Sequence, residues 1–178
     1  MDSIDINVSS PAIVIAGPTA SGKSEFAIAL CKEINGTVIN FDSMQVYKEL
    51  SILTARPDSI SESIVPHKLY GYMSGKNRCS AVLWKNKALE EIKLSLKLGR
   101  VPILVGGSGL YIKTLIDGLS DIPITLNKYR IEAETILSKE GLEKFYQRVK
   151  IIDPNIINSI NINDKQRLIR AYTVWLQT

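Results

Sequence analysis

A chain of 178 residues holds one ordinary domain with room for a small appendage. Hydrophobic residues at 45% and charged residues at 22% form a globular balance, which excludes disorder as the main state. Lys and Arg number 22 against 18 Asp and Glu, and the net charge of +4 permits a nucleic-acid partner without requiring one. Cys31 and Cys79 are too few and too far apart for a disulfide scaffold or a zinc knuckle, and they suit a reducing, cytoplasmic setting. The first ten residues carry two acids and no basic segment, unlike a secretory signal. The longest apolar runs, at residues 12–16 and 101–105, are strand-sized and too short to span a bilayer, so the chain reads as soluble.

In chain order, Ala12-Ile13-Val14-Ile15-Ala16 has no polar face and predicts a strand buried on both sides. A glycine-rich turn follows, then a helix from Ser24 to about Ile34 with Ala27, Leu30, Cys31 and Ile34 as its apolar stripe and Asn35-Gly36 as its stop. Residues 37–41 predict a second strand that ends at Asp42. The succession of strand, turn, helix and strand is the βαβ arrangement of a parallel α/β sheet. Residues 42–79, with Pro57 and Pro66, read mostly as loop with one short strand. Ser80 is placed to cap a helix reaching about Leu98, and Gly99 to end it. The next buried strand covers residues 102–105, and Gly106-Gly107-Ser108-Gly109 turns it into a further helix. From Leu119 onward only helical patterns appear, at about residues 126–140, 142–149, 155–160 and 164–178, punctuated by Pro123, Gly141 and Pro154. The predicted organisation is a phosphate-loop α/β core over residues 10–120, flanked by helices, and a helical appendage over residues 121–178.

Gly17-Pro18-Thr19-Ala20-Ser21-Gly22-Lys23-Ser24 matches G-x-x-x-x-G-K-[ST] without a gap, between a predicted strand and a predicted helix. The glycines let the backbone curl so that several N–H groups point at one phosphate, and the helix adds its positive end. Lys23 supplies a full charge, and Ser24 is placed to reach a Mg²⁺ shared with the phosphate oxygens. A kinase or NTPase would carry an aspartate at the end of the later strand. That strand ends instead in Gly-Gly-Ser-Gly, and the acid at a predicted strand end is Asp42. The loop therefore suits a diphosphate that leaves, not a γ-phosphoryl that transfers.

Several ordered segments together resemble the tRNA dimethylallyltransferase family. They are the phosphate loop, Asp42-Ser43-Met44-Gln45-Val46-Tyr47, Thr54-Ala55-Arg56-Pro57 with Pro66-His67, and Ser80-Ala81. Val105-Gly106-Gly107-Ser108-Gly109-Leu110-Tyr111 and Asn163-Asp164-Lys165-Gln166-Arg167-Leu168-Ile169-Arg170-Ala171 complete the set. The resemblance implies that dimethylallyl diphosphate sits in the phosphate loop with Mg²⁺, and that the exocyclic amine of an adenine 3′ of a tRNA anticodon attacks its allylic carbon. Asp42 would accept the amine proton, while Lys23 and the loop amides would stabilise the leaving diphosphate. Ser108 would stand near the reacting groups, and the base would flip out to arrive there. By the same resemblance Asp42, Ser43, Met44 and Gln45 meet the flipped base. Arg130, Gln166, Arg167, Leu168, Ile169 and Arg170 are tRNA-contacting positions, with a monomer expected to act on the anticodon stem-loop.

Bland roles stand beside these. His67 is read as structural, and Trp84, Trp175 and the tyrosines as packing. Arg167 and Arg170, three apart on one helix face, fit an RNA contact or a solvated face. Family members run on beyond the position of Thr178, so a shortened or partial form is expected. Two further readings stay open: a small-molecule kinase in which Asp42 activates a hydroxyl, and a remnant that binds without turnover.

Overall fold

The computed structural model describes residues 12–119 and 125–178, apart from the side chains of residues 157 and 158. Pro123 and the first ten residues lie outside the described residues. The chain divides into two compact units, Met1–Leu119 and Ser120–Thr178.

The first unit runs β1 (Ile13–Ala16), α1 (Lys23–Ile34), β2 (Gly36–Asn40), α2 (Ser59–Ile64), β3 (His67–Lys68), α3 (Ala81–Lys97), β4 (Val101–Gly106) and α4 (Gly109–Asp117). Among the described residues its strands form one parallel sheet in the order β1-β4-β2-β3. Alternation along β2 and β4 sends successive side chains to opposite faces. Val38, Ile103 and Val105 pack with Ala27 and Cys31 of α1. Ile39 and Leu104 pack on the other face with Trp84, Ala88 and Ile92 of α3 and Tyr111 of α4. Coverage on both faces explains why consecutive residues are apolar at Val38-Ile39 and Ile103-Leu104-Val105. Each fully buried Leu, Ile or Val contributes about 1.5–3 kcal/mol.

β1 departs from the expected two-sided burial. Ile13 and Ile15 pack on the α1 side, but Val14 on the opposite face is 44% exposed. Among the described residues β1 pairs only with β4 and ends the sheet, while α3 lies over β2 and β4. The stretch read as loop contains α2, a helix of six residues that buries none of them and leaves Ile60 and Ile64 exposed. Its local signal is the cap, where Asp58 accepts from the Ser61 N–H at 2.8 Å. The expected Ser80 cap forms, with its hydroxyl accepting from the Leu83 N–H at 3.1 Å, and Gly99 ends the helix at φ +67°.

The second unit is helical: α5 (Asn127–Glu140), α6 (Leu142–Ile152) and α7 (Lys165–Gln177). Ala133, Phe145, Val149, Leu168 and Tyr172 form its core, with the Phe145 and Tyr172 rings 5.2 Å apart. The helix expected near residues 155–160 is a short 3-10 turn, Pro154–Asn158, too brief for an α-helix between its flanking bends. Asp153 and Asp164 cap the turn and α7. No helix among the described residues is long and apolar enough to cross a membrane.

Candidate functional site

The phosphate loop joins β1 to α1 as its sequence demands. Ala20 and Gly22 adopt φ of +63° and +79°, and that left-handed curl turns backbone N–H groups toward one side. Lys23 Nζ donates to the Pro18 carbonyl and lies 3.4 Å from Ser21 Oγ, which itself donates to Pro18 O at 2.9 Å. Ser24 stands exposed in the first turn of α1.

Strand order brings two more turns to this loop. β1 and β4 pair with Ala16 opposite Gly106, so the phosphate loop and the Gly106-Gly107-Ser108 turn leave the sheet side by side. A Cβ at Gly107 would lie 3.2 Å from the Gly17 carbonyl oxygen. On its other side β4 pairs with β2, and the Phe41 N–H extends that ladder to Val105 O at 2.9 Å. A Cβ at Gly106 would lie 2.6 Å from the Phe41 carbonyl carbon and 2.7 Å from Asp42 N, so glycine is what lets these strand ends approach. Ser108 Oγ then accepts from the Ser43 N–H at 2.8 Å. Phosphate loop, Ser108 and Asp42 thus converge at the carboxyl ends of adjacent parallel strands, where open α/β sheets bind ligands.

The Asp42 turn is held by a residue that the sequence reading missed. Asn40 is fully buried; its Oδ1 accepts from the Asp42 N–H at 2.8 Å. Its Nδ2 donates to Asp42 O at 3.1 Å and to Leu69 O at 3.0 Å. The Trp84 indole donates to the Asn40 carbonyl at 2.8 Å, so this tryptophan packs and also anchors. An amide at the end of a buried Val-Ile run was the available signal, since a buried polar side chain needs partners. Asp42 Oδ1 accepts from the Met44 N–H at 2.8 Å, while its carboxylate remains partly exposed. Burial first, and then the nearby Asp42 charge, push the Tyr70 phenol well above its ordinary range. Met44 is 48% exposed, whereas Gln45 Nε2 donates to Thr54 O at 2.8 Å and so serves the fold. His67 Nδ1 donates to the Val65 carbonyl at 2.8 Å, a structural contact.

In the helical unit Arg130, Gln166, Arg167 and Arg170 are exposed. Arg130 Nε pairs with Glu134 at 2.8 Å, Arg167 Nε with Asp164 at 3.3 Å, and Arg170 Nη1 donates to Thr125 Oγ1 at 2.6 Å. Leu168 corrects the sequence expectation. It is fully buried among Phe145, Val149 and Tyr172, so its side chain packs the unit and cannot touch RNA. Ile169 is partly buried against the same cluster. The three-residue spacing that aligns Arg167 and Arg170 turns Leu168 inward.

Comparison with known proteins matches residues 11–70 to an isopentenyl transferase model and residues 45–178 to an IPP transferase model. The tRNA dimethylallyltransferase of Granulibacter bethesdensis is 44% identical over 167 residues, 94% of this chain and 52% of the relative. That of Pelagibacter ubique is 45% identical over 162 residues, 91% of this chain and 52% of the relative. A solved eukaryotic dimethylallyltransferase acting on tRNA superposes with a TM-score of 0.77 at 29% identity, over 94% of this chain and 42% of that one. The chain spans about half the length of the curated relatives it matches. Because the phosphate loop, the Asp42 turn, the Ser108 turn and α7 all fall within the matched spans, the chain belongs to the IPP transferase family, that of the tRNA dimethylallyltransferases.

Proposed function

We propose that the site at the carboxyl ends of β1, β4 and β2 moves a dimethylallyl group from dimethylallyl diphosphate to the N6 amine of the adenine 3′ of a tRNA anticodon. The observation that carries this reading is the convergence itself: Gly107 packs on the phosphate loop, and Ser108 binds the turn that holds Asp42. A diphosphate cradled by the loop amides would have its leaving oxygen near Lys23, which exchanges the Pro18 carbonyl for phosphate oxygens. The amine nitrogen forms a bond to the allylic carbon as the carbon–oxygen bond to diphosphate breaks. Asp42 takes the proton released from nitrogen, and the loop N–H groups and Lys23 hold the charge growing on diphosphate. Asn40 fixes the Asp42 backbone so that the carboxylate needs no reorganisation.

Mg²⁺ suits this donor set. Such an ion keeps several waters and takes one or two protein oxygens besides phosphate oxygens, which the exposed Ser24 hydroxyl at the start of α1 can supply. When bound it would neutralise diphosphate charge. Met44 offers an apolar contact to a flipped base, and Arg130, Gln166, Arg167 and Arg170 supply polar contacts to the RNA backbone. The reading takes the chain as a cytoplasmic monomer acting on the anticodon stem-loop.

The test is incubation with labelled dimethylallyl diphosphate, Mg²⁺ and an anticodon stem-loop bearing adenines 3′ of the anticodon. Label should enter the RNA, and Asp42→Asn should slow its entry by about 100- to 10,000-fold while donor binding persists. Donor binding without transfer would show that this length of chain lacks part of the catalytic machinery. ATP binding with no affinity for the prenyl donor would overturn the reading in favour of a kinase.

A further inference from the structure

Arg56 lies in the Thr54-Ala55-Arg56-Pro57 segment, to which the proposed chemistry assigns no role. Its Nε and Nη1 are buried, and neither has a hydrogen-bond partner among the described residues. Buried donors of this kind are uncommon and call for an explanation. A guanidinium is an especially costly group to leave unpaired, since it cannot shed its charge.

The surroundings look built to present it. The turn that carries Arg56 is closed by the Thr54 N–H and hydroxyl to Leu50 O at 3.0 and 2.7 Å, and by the Arg56 N–H to Ser51 O at 3.0 Å. Ala55 is held at φ +47°, a left-handed conformation that costs a non-glycine residue energy. The guanidinium lies against Gly71, where an added Cβ would stand 1.8 Å from Nη1, so a side chain there would displace it. Gln45 ties this seat to the Asp42 segment: its carbonyl accepts from the Gly71 N–H at 2.9 Å, and its side chain donates to Thr54 O at 2.8 Å. Ile52 and Leu53 on the same turn are 95% and 81% exposed, so the turn faces outward in its unit.

Position selects the ligand. Gly71 follows β3, the strand next to β2 and three places from β1. Gly71 and Gln45 tie Arg56 to the Asp42 segment, whereas the phosphate loop leaves the β1 end of the sheet, beyond β4. A nucleotide whose base meets Asp42 has its own phosphates on the strand that enters and leaves the site. A planar guanidinium matches a phosphate in paired hydrogen bonds.

We infer that Arg56 binds a backbone phosphate of the RNA strand next to the modified nucleotide, a contact separate from the diphosphate site; the inference rests on the transferase reading above. It makes Arg56 a positioning residue that seats the strand before the amine meets Asp42.

The experiment measures anticodon stem-loop affinity of the whole chain across a salt series, for wild type, Arg56→Gln and Arg56→Lys. Calorimetric binding of dimethylallyl diphosphate and thermal melting are recorded on the same samples. Loss of one phosphate contact to a single strand should lower the slope of log affinity against log salt by about 0.7 in Arg56→Gln. RNA affinity at low salt should fall about tenfold, with donor affinity and melting temperature unchanged. Arg56→Lys should keep the slope and lose several-fold affinity, because it retains the charge without the fork; this holds the test open if Arg56→Gln fails to fold. Unchanged RNA affinity and slope in both variants would overturn the inference and mark Arg56 as a packing residue. Equal loss of donor and RNA binding would overturn it too, placing the guanidinium at the diphosphate. A wild-type chain that binds neither donor nor RNA would instead sink the transferase reading, and one that binds donor alone would refute the RNA contact.

Discussion

The α/β unit keeps its chemistry in turns, while the helical unit spreads its candidate contacts along the exposed side of α7 and on α5. In the first, each residue has a separate backbone task. Gly106 permits a strand approach at which an added Cβ would lie 2.7 Å from Asp42 N, and Ser108 and Asn40 each hold a named N–H of the Asp42 segment. In the second, residues act by periodicity: Arg167 and Arg170 point out because Leu168 and Tyr172 point in. A turn's own backbone demands can therefore be read from sequence, though not the partners that hold it, whereas a helix announces a face whose members only burial can sort.

The sharpest way to break this comparison is to empty the helical core. Phe145 is fully buried, and Phe145→Ala should cost about 3–5 kcal/mol of stability in that unit. Hydrogen exchange over residues 127–177 should accelerate while calorimetric binding of dimethylallyl diphosphate persists. Loss of donor binding would refute the view that the phosphate loop is organised by its own unit.

A smaller effect is expected from Gly106→Ala, which forces a methyl group onto the Phe41–Asp42 backbone at a cost of about 1–3 kcal/mol. Melting should fall and protection of the Ser43 N–H should drop, since the β2 end must retreat from Ser108. If Ser43 stays protected, the close approach does not set the Asp42 turn.

The smallest is a pH effect confined to the α/β unit, because both cysteines lie there. Burial pushes the Cys31 thiol up to about 11 from an ordinary value of 9.0. The fold therefore favours the neutral thiol. Its contribution is whole below about pH 9, where the unfolded thiol is also protonated, and fades as pH rises toward 11. Thermal melts from pH 8 upward should show wild type losing stability more steeply than Cys31→Ala. Equal slopes would show that burial does not control this thiol.

Much of the molecule was legible in one dimension wherever a demand is local. The phosphate loop, the Ser80 cap, the Gly99 stop and the breaks at Gly141 and Pro154 follow from φ, ψ and hydrogen-bond requirements satisfied within a few residues. Asp42 was legible as an acid at the end of a buried run. α2 was hidden because it buries nothing, and β1 read as doubly buried because an apolar run does not reveal whether its strand ends the sheet.

What the amino-acid order determined alone was thus the presence of a phosphate-loop motif between a strand and a helix, an acid at a strand end and a helical second part. Tertiary structure decided that β4 runs between β1 and β2, and with it that the loop, Ser108 and Asp42 share one site. It also decided that Asn40 is a clamp, that Leu168 is core and that Arg56 rests against Gly71 with its Nε and Nη1 without a partner among the described residues. The physical reason is range: dihedral and capping preferences act over a few residues, whereas strand order and side-chain pairing are settled between segments dozens of residues apart.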